Sequence, residues 1–195
     1  QFSDLLDMPL ALSTGRRLKG RRVAVVTSTG GAASLVADAA GLAGFETPAP
    51  DPQTAERLKA LNIPDAVLDR NPIDVTLAGV KSEYFRNVLD SVLESPAYDA
   101  VAVILGSSSI TEPEIVGAPL RDCFARTDKP IVAFASPHAP QAVSHLNLSG
   151  IPTFAAPEAC ANALSAMWSL RDKGSRQTLA PAVSAAVGAD IGRML

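Results

Sequence analysis

Four short runs of apolar residues, separated by segments with helical patterns, constrain the fold of this chain more than any other feature. The runs are Val23–Val26, Asp99–Leu105, Pro130–Ala135 and Pro152–Ala155. A short, continuous apolar run is typical of a strand that is buried on both faces of a sheet. Because helical segments alternate with these strands, the pattern predicts right-handed βαβ units and a parallel sheet with helices on both faces.

The segments around these runs predict a set of amphipathic or apolar helices. They cover residues 3–12, 31–43, 54–61, 82–94, 112–125, 139–148 and 158–170. Ser3 and Thr54 have side chains suited to helix N-caps, and Pro119 is expected to shorten or kink its helix. Residues 71–76 are expected to form an irregular turn. The predicted fold class is α/β, a doubly wound parallel sheet of four to five strands in a flavodoxin-like order, with helices on both faces.

The chain length of 195 residues suits one α/β domain with short extensions. We predict an N-terminal helix and connector (1–22), a flavodoxin-like domain (23–171) and a C-terminal tail or linker (172–195) with a weak helix near residues 183–195. The chain begins with Gln1, and no charged segment followed by an apolar one comes after it, so no signal peptide is expected. A start other than methionine suggests a fragment or a processed chain.

Composition argues against two classes of partner. The formal net charge is −3 and no basic stripe is present, which disfavours nucleic-acid binding. No apolar stretch approaches the ~20 residues of a membrane-spanning helix. Cys123 and Cys160 lack the spacing of a metal or redox site and lie in apolar helical patterns, so buried free thiols are expected. These features predict a cytoplasmic protein without nucleic-acid or membrane partners.

The turn after the first strand is built from small residues. Its members Thr27, Ser28, Thr29, Gly30 and Gly31 lead directly into an alanine-rich helix. A helix N-terminus presents unpaired N–H groups and partial positive charge, and glycines let an anion approach the backbone closely. The turn therefore predicts a site for phosphate or an acid, with a tight βα turn as the alternative. It matches neither a GxGxxG fingerprint nor a P-loop.

The turn after the second strand repeats this arrangement. Gly106, Ser107, Ser108 and Ser109 offer amide and hydroxyl donors at the same kind of junction. The carboxyl ends of neighbouring parallel strands meet at one edge of the sheet. The two turns are therefore expected to face the same pocket and to share one anion.

The NPIDV segment supplies two candidate loop-orienting residues. Pro72 favours an extended Asn71, and the side chains of Asn71 and Asp74 can bond to the loop backbone. The histidines, His138 and His145, lack a context suited to phosphorylation or proton transfer and are interpreted as surface or packing residues. No catalytic residue and no metal site is predicted in this chain.

Five segments, in their order and spacing, resemble one enzyme family. They are GRRVAVVTSTGG, NPIDV, DAVAVIL, KPIVAF and SGIPTFAAPEACANAL, and the resemblance covers residues 3–170. They are similar to the flavodoxin-like ligase-CoA domain of the NDP-forming acyl-CoA synthetases, which are relatives of succinyl-CoA synthetase.

The resemblance implies an accessory catalytic domain of an acid–CoA ligase. Such an enzyme converts an acid, CoA and ATP to acyl-CoA, ADP and phosphate through an acyl phosphate and a phosphohistidine. The resemblance assigns electrostatic stabilisation of phosphate or a small organic acid to Thr27–Gly31 and Gly106–Ser109. It also implies two partners in the same enzyme, a flavodoxin-like domain that bears the phosphohistidine and an ATP-grasp module. CoA and magnesium-bound ATP or ADP then belong to the full enzyme, with no cofactor bound directly by this domain.

Two other functions remain open from the sequence. No SHTG-type histidine segment occurs in these residues, so the chain alone is expected to be inactive as a ligase. One alternative is a non-catalytic, ligase-like scaffold or regulatory domain of a protein acyltransferase. The other is a freestanding flavodoxin-like binding protein for a flavin, although neither turn contains an aromatic residue that could stack on the isoalloxazine ring.

Overall fold

The structure, a computed structural model, describes residues 4–170. The helices and strands follow one another in this order: α1 (Asp4–Ser13), β1 (Val23–Thr27), α2 (Gly30–Leu42), α3 (Pro52–Ala60), β2 (Ile73–Asp74), a 3₁₀ turn (Ala78–Val80), α4 (Ser82–Glu94), β3 (Ala100–Leu105), α5 (Ser108–Thr111), α6 (Pro113–Arg126), β4 (Ile131–Ala135), α7 (Pro140–Leu148), β5 (Thr153–Phe154) and α8 (Pro157–Ser169). Ser3 and residues 171–195, including the expected weak helix, lie outside the described part of the chain.

The five strands form one parallel sheet in the order β2-β1-β3-β4-β5. β1 and β3 lie side by side, with Val23 opposite Ala100 and Thr27 opposite Ile104. The order of strands reverses between β1 and β3, which makes this the switch point where ligands gather in doubly wound sheets. The predicted α/β class and flavodoxin-like strand order are confirmed.

Two apolar cores cover the two faces of the sheet. Every residue of β1, β3 and β4 is buried, as the continuous apolar runs predict. Ala24 and Val26 face the core that α3, α4, α6 and α7 contribute to. Val23 and Val25 face the core formed with α1, α2 and α8. Because successive side chains of a strand point to opposite faces, one short run of small and branched residues serves both cores.

The helix boundaries agree with the sequence patterns except at α3. Asp51, not Thr54, is the N-cap, because its Oδ1 accepts the backbone N–H groups of Gln53 and Thr54 at 3.1 and 3.2 Å. The hydroxyl of Thr54 donates to Asp51 Oδ2 at 2.5 Å instead. The prediction of Thr54 as the cap is therefore wrong, since Pro52 suits the first helical position and moves the helix start upstream.

One further prediction of local structure is wrong, and another is wrong in part. Residues 71–76 are not only a turn, because Ile73 and Asp74 pair with β1 as the edge strand β2. Two residues are too few to produce a recognisable strand pattern. Pro119 does not shorten α6, which runs from Pro113 to Arg126. The buried face of α6 packs into the core, and this packing outweighs the loss of one backbone hydrogen bond.

The two cysteines have the predicted state. Cys123 and Cys160 are buried free thiols. Burial, followed by the charge of Asp90, raises the pKa of the Cys123 thiol to about 12, so this group is protonated at neutral pH. In residues 4–170, the structure contains no helix of sufficient length and apolar character to span a membrane.

Candidate anion-binding site

The turn after β1 is closed by its own residues and leaves the start of α2 open. The buried Thr27 hydroxyl accepts the N–H of Thr29 at 2.8 Å and donates to the Thr29 carbonyl at 3.0 Å. Thr27 therefore shapes the turn and has no free hydrogen for a ligand. Thr29 occupies the N-cap position but forms no side-chain cap, and Gly30 and Gly31 are exposed. The first amides of α2 are thus left without a side-chain acceptor.

The turn after β3 lies directly against this opening. A Cβ built on Gly106 would lie 2.6 Å from Thr29 Oγ1 and 2.8 Å from Ser28 Oγ. Both distances are below van der Waals contact, so only a glycine fits here without a shift of its neighbours. The sequence correctly places the two turns on adjacent strand ends, whereas binding of an anion between them stays a prediction.

The three serines of the second turn have different environments. Ser107 is exposed and follows Gly106, the residue that lies next to the first turn. Ser108 Oγ is shielded from solvent and has no hydrogen-bond partner among the described residues. Ser109 is buried and donates its hydroxyl to the Gly106 carbonyl at 2.6 Å. Ser109 therefore holds the turn in shape, and Ser107 is the exposed serine of the three. The sequence did not reveal that Ser108–Thr111 forms the short helix α5.

Asp74 lies against the start of α2 on the side of β2. Its Oδ1 accepts the N–H of Thr76 at 2.9 Å, and its Oδ2 lies 3.3 Å from the position of a Cβ on Gly30. A carboxylate near a helix N-terminus interacts favourably with the helix dipole and repels a second anion. Asp74 therefore occupies the β2 side of the start of α2, while no heavy atom lies within 4 Å of a Cβ built on Gly31.

Asn71 connects the loop before β2 to β1. Its Oδ1 accepts the N–H of Val25 at 2.9 Å, and its Nδ2 donates to the carbonyls of Val23 and Pro48 at 2.8 and 3.0 Å. The side chain of Asn71 thus bonds to backbone groups of β1 that a neighbouring strand would otherwise pair with. Asn71 acts on the position of the loop rather than on a ligand.

Neither histidine is built into the candidate site. His138 is exposed in the segment after β4. His145 lies on α7 with its Nδ1 3.8 Å from Glu114 Oε1, and Glu114 also forms an ion pair with Arg121. Both positions fit the interpretation as surface or packing residues. Among the described side chains, no group of three or more His, Cys, Asp or Glu residues is arranged to hold a metal ion.

Comparison with known proteins finds alpha subunits of ADP-forming acetate–CoA ligases among the relatives of the chain, although no protein-family model matches it. The chain is 27% identical over 174 residues to the alpha subunit of acetate–CoA ligase [ADP-forming] I of Pyrococcus furiosus, covering 86% of this chain and 36% of that protein. It is 29% identical over 155 residues to the alpha subunit of ligase II of the same organism, covering 76% and 34%. The chain spans roughly a third of the length of these curated relatives.

The fold of the chain is also similar to that of solved structures. The dinucleotide-forming acetyl-coenzyme A synthetase 1 of Ca. Korarchaeum cryptofilum, in complex with phosphate and ADP, matches with a TM-score of 0.74 and 27% identity, covering 86% of this chain and 36% of that one. PH0766 from Pyrococcus horikoshii OT3 has a TM-score of 0.77 and 24% identity over 86% and 39% of the two chains, which shows the shared fold alone. The resemblance to the NDP-forming acyl-CoA synthetase family that the five sequence segments indicate is therefore confirmed.

Proposed function

We propose that this chain is an accessory domain of an NDP-forming acid–CoA ligase and that its two contacting turns hold a phosphate or the acid substrate. One observation carries this proposal, namely the contact of Gly106 with Ser28 and Thr29 at the switch point of the sheet. The similarity to alpha subunits of ADP-forming acetate–CoA ligases supports the class of enzyme.

The proposed role is electrostatic. The amides of the first turn of α2, with the hydroxyls of Ser28 and Ser107, would donate hydrogen bonds to an anion. Such donors are fixed before the reaction and therefore stabilise negative charge as it develops in the transition state. Thr27 and Ser109 would hold the turns in shape. No covalent bond or proton transfer is assigned to residues of this chain.

The complete reaction requires parts beyond the described residues. We infer that a second flavodoxin-like domain supplies the phosphohistidine and that an ATP-grasp module binds the nucleotide with magnesium. CoA would likewise be bound by the full enzyme. The net reaction joins an acid and CoA while ATP is converted to ADP and phosphate, so this chain alone is expected to form no acyl-CoA.

The complete gene product tests the proposal. We expect acyl-CoA formation that depends on ATP, CoA and an added acid, with ADP and phosphate as products, and no activity for residues 1–195 alone. We also expect the sequence of the complete enzyme to contain an ATP-grasp module and a loop with the histidine that is phosphorylated. An attached acetyltransferase module without ligase activity, or acyl-CoA formation by residues 1–195 alone, would contradict the proposal.

A further inference from the structure

The outer face of α2 is more apolar than a solvent-exposed helix face normally is. Within its sequence GGAASLVADAAGL, Asp38 is the only charged residue. A helix that is apolar nearly all round is usually buried on all sides. The inner face of α2 is indeed buried, but Leu35 and Leu42 on the outer face are 55% and 93% exposed. Nothing in the described part of the chain covers these two leucines.

A groove runs along this face between α2 and α8. We call it the α2/α8 groove. It has a volume of about 440 Å³. Leu35 and Leu42 line it from α2, and the small side chains of Ala39, Ala43 and Ala161 leave it shallow and open. Two leucines seven residues apart lie about two helical turns, or ~10 Å, from each other. This spacing suits a second helix that lies lengthwise in the groove, with its own apolar residues on successive turns.

The charge of the groove limits what can occupy it. Its charged lining residues are Asp38 and Glu158, both acidic and exposed. The whole chain has a formal net charge of −3. A second copy of the chain would bring these acidic groups toward each other. A partner with basic residues beside its apolar stripe would instead be attracted, because complementary charge steers association and selects the partner.

We propose that the α2/α8 groove docks an amphipathic helix from outside residues 1–195, with an apolar stripe flanked by lysine or arginine. The leucines would supply the contact area, and Asp38 and Glu158 would pair with the basic flanks. The proposal stands on the exposed leucines and the acidic rim, and it does not depend on the anion site.

Two synthetic helical peptides of about 18 residues, or five turns, provide the test. Both carry the same leucine and alanine stripe, with lysine on the flanks of one and glutamate on the flanks of the other. In fluorescence anisotropy with residues 1–195, the lysine peptide is expected to bind at least about tenfold more tightly. Leu42→Gln should weaken its binding about tenfold, while Leu148→Gln, which changes a leucine that is 85% exposed on α7, should not.

Reversal of the groove's charge makes the test specific. The double variant Asp38→Lys and Glu158→Lys should prefer the glutamate peptide. Because both positions are exposed, the substitutions should leave the fold intact, and circular dichroism melts check this for each variant. Equal binding of the two peptides, no binding of either, or binding that Leu42→Gln leaves unchanged would overturn the proposal. A dimer in sedimentation velocity that Leu42→Gln dissociates would also overturn it, by assigning the groove to a second copy.

Discussion

Gly106 and Thr29 are so close that a Cβ on Gly106 would lie 2.6 Å from the Thr29 hydroxyl oxygen. This contact joins the turn after β3 to the turn after β1, which are separated by more than 70 residues in the sequence. It keeps the start of α2 and the Gly106–Ser109 turn at one place on the sheet edge. The proposed anion site depends on that distance.

Substitution of Gly106 by alanine should therefore destabilise the fold. We expect Gly106→Ala to lower the free energy of unfolding by about 1–3 kcal/mol, because the side chains of Ser28 and Thr29 must move. Urea denaturation measures this change. With Ser28→Ala and Thr29→Ala already present, the same substitution should cost less, by at least ~0.5 kcal/mol. Additive changes in the free energy of unfolding would show that Gly106 is not in steric contact with the side chains of Ser28 and Thr29.

Substitutions of Gly31 distinguish the effect of charge at the proposed site from the effect of packing. No heavy atom lies within 4 Å of a Cβ built on Gly31, so the first side-chain atom of alanine or glutamate meets open space there. In the complete gene product, Gly31→Glu should slow the ligase reaction. The barrier should rise by on the order of 3 kcal/mol, because a carboxylate would occupy the anion's position. Its melting temperature should not fall, since an acidic residue suits a helix N-terminus.

Gly31→Ala is the matched control for that experiment. Alanine adds no charge and removes backbone freedom from the unfolded chain, so we expect a gain in stability of roughly 0.5–1 kcal/mol and a rate near the original. Equal rates for the alanine and glutamate variants would reduce the two glycines to a tight turn without a role in binding.

Asn71 should be a stability residue. Asn71→Ala removes three hydrogen bonds and leaves the N–H of Val25 inside the sheet without its acceptor. We expect the free energy of unfolding to fall by about 2–4 kcal/mol. Gln53→Ala, which truncates an exposed amide on α3, should change it by less than ~0.5 kcal/mol. A comparable effect of the two substitutions in thermal melts would show that the hydrogen bonds of Asn71 do not stabilise the fold.

Asp51 should make the stability sensitive to acid. Hydrogen bonds from Ser95 and then Thr54 lower the pKa of its carboxyl group from 3.8 to about 2. Because the folded pKa lies below the unfolded value, the stabilisation is complete above about pH 5 and is lost as the pH falls toward 2.

Urea denaturation across this pH range, with Asp51→Asn as the comparison, measures the effect of Asp51. The variant should be less stable at pH 7 and should lose less stability on acidification. Parallel pH profiles for the two proteins would show that this carboxyl group is not linked to folding.

The parts of the fold that the sequence predicts are those set by local pattern. The continuous apolar runs predict β1, β3 and β4, since a strand buried on both faces needs no polar alternation. The amphipathic pattern of residues 82–94 predicts α4 with its observed bounds. β2 escapes prediction because its two residues pair only through their position beside β1.

The candidate site is predictable in outline but not in detail. Small residues after two strands, together with the doubly wound topology, place both turns at one sheet edge. Which hydroxyls are free depends on atomic contacts that no pattern encodes. Thr27 and Ser109 look like ligand donors in the sequence, yet both bond to their own turns. The approach of Asp74 to Gly30 likewise depends on how β2 packs beside β1.

Titration of the ¹⁵N-labelled chain with inorganic phosphate shows whether the two contacting turns bind one anion. Chloride at matched ionic strength is the reference. We predict saturable amide shifts at Ser28, Gly31 and Ser107 that persist in Gly31→Ala and disappear in Gly31→Glu. An absence of saturable shifts at both turns, or shifts that Gly31→Glu retains, would show that the two turns do not bind an anion together.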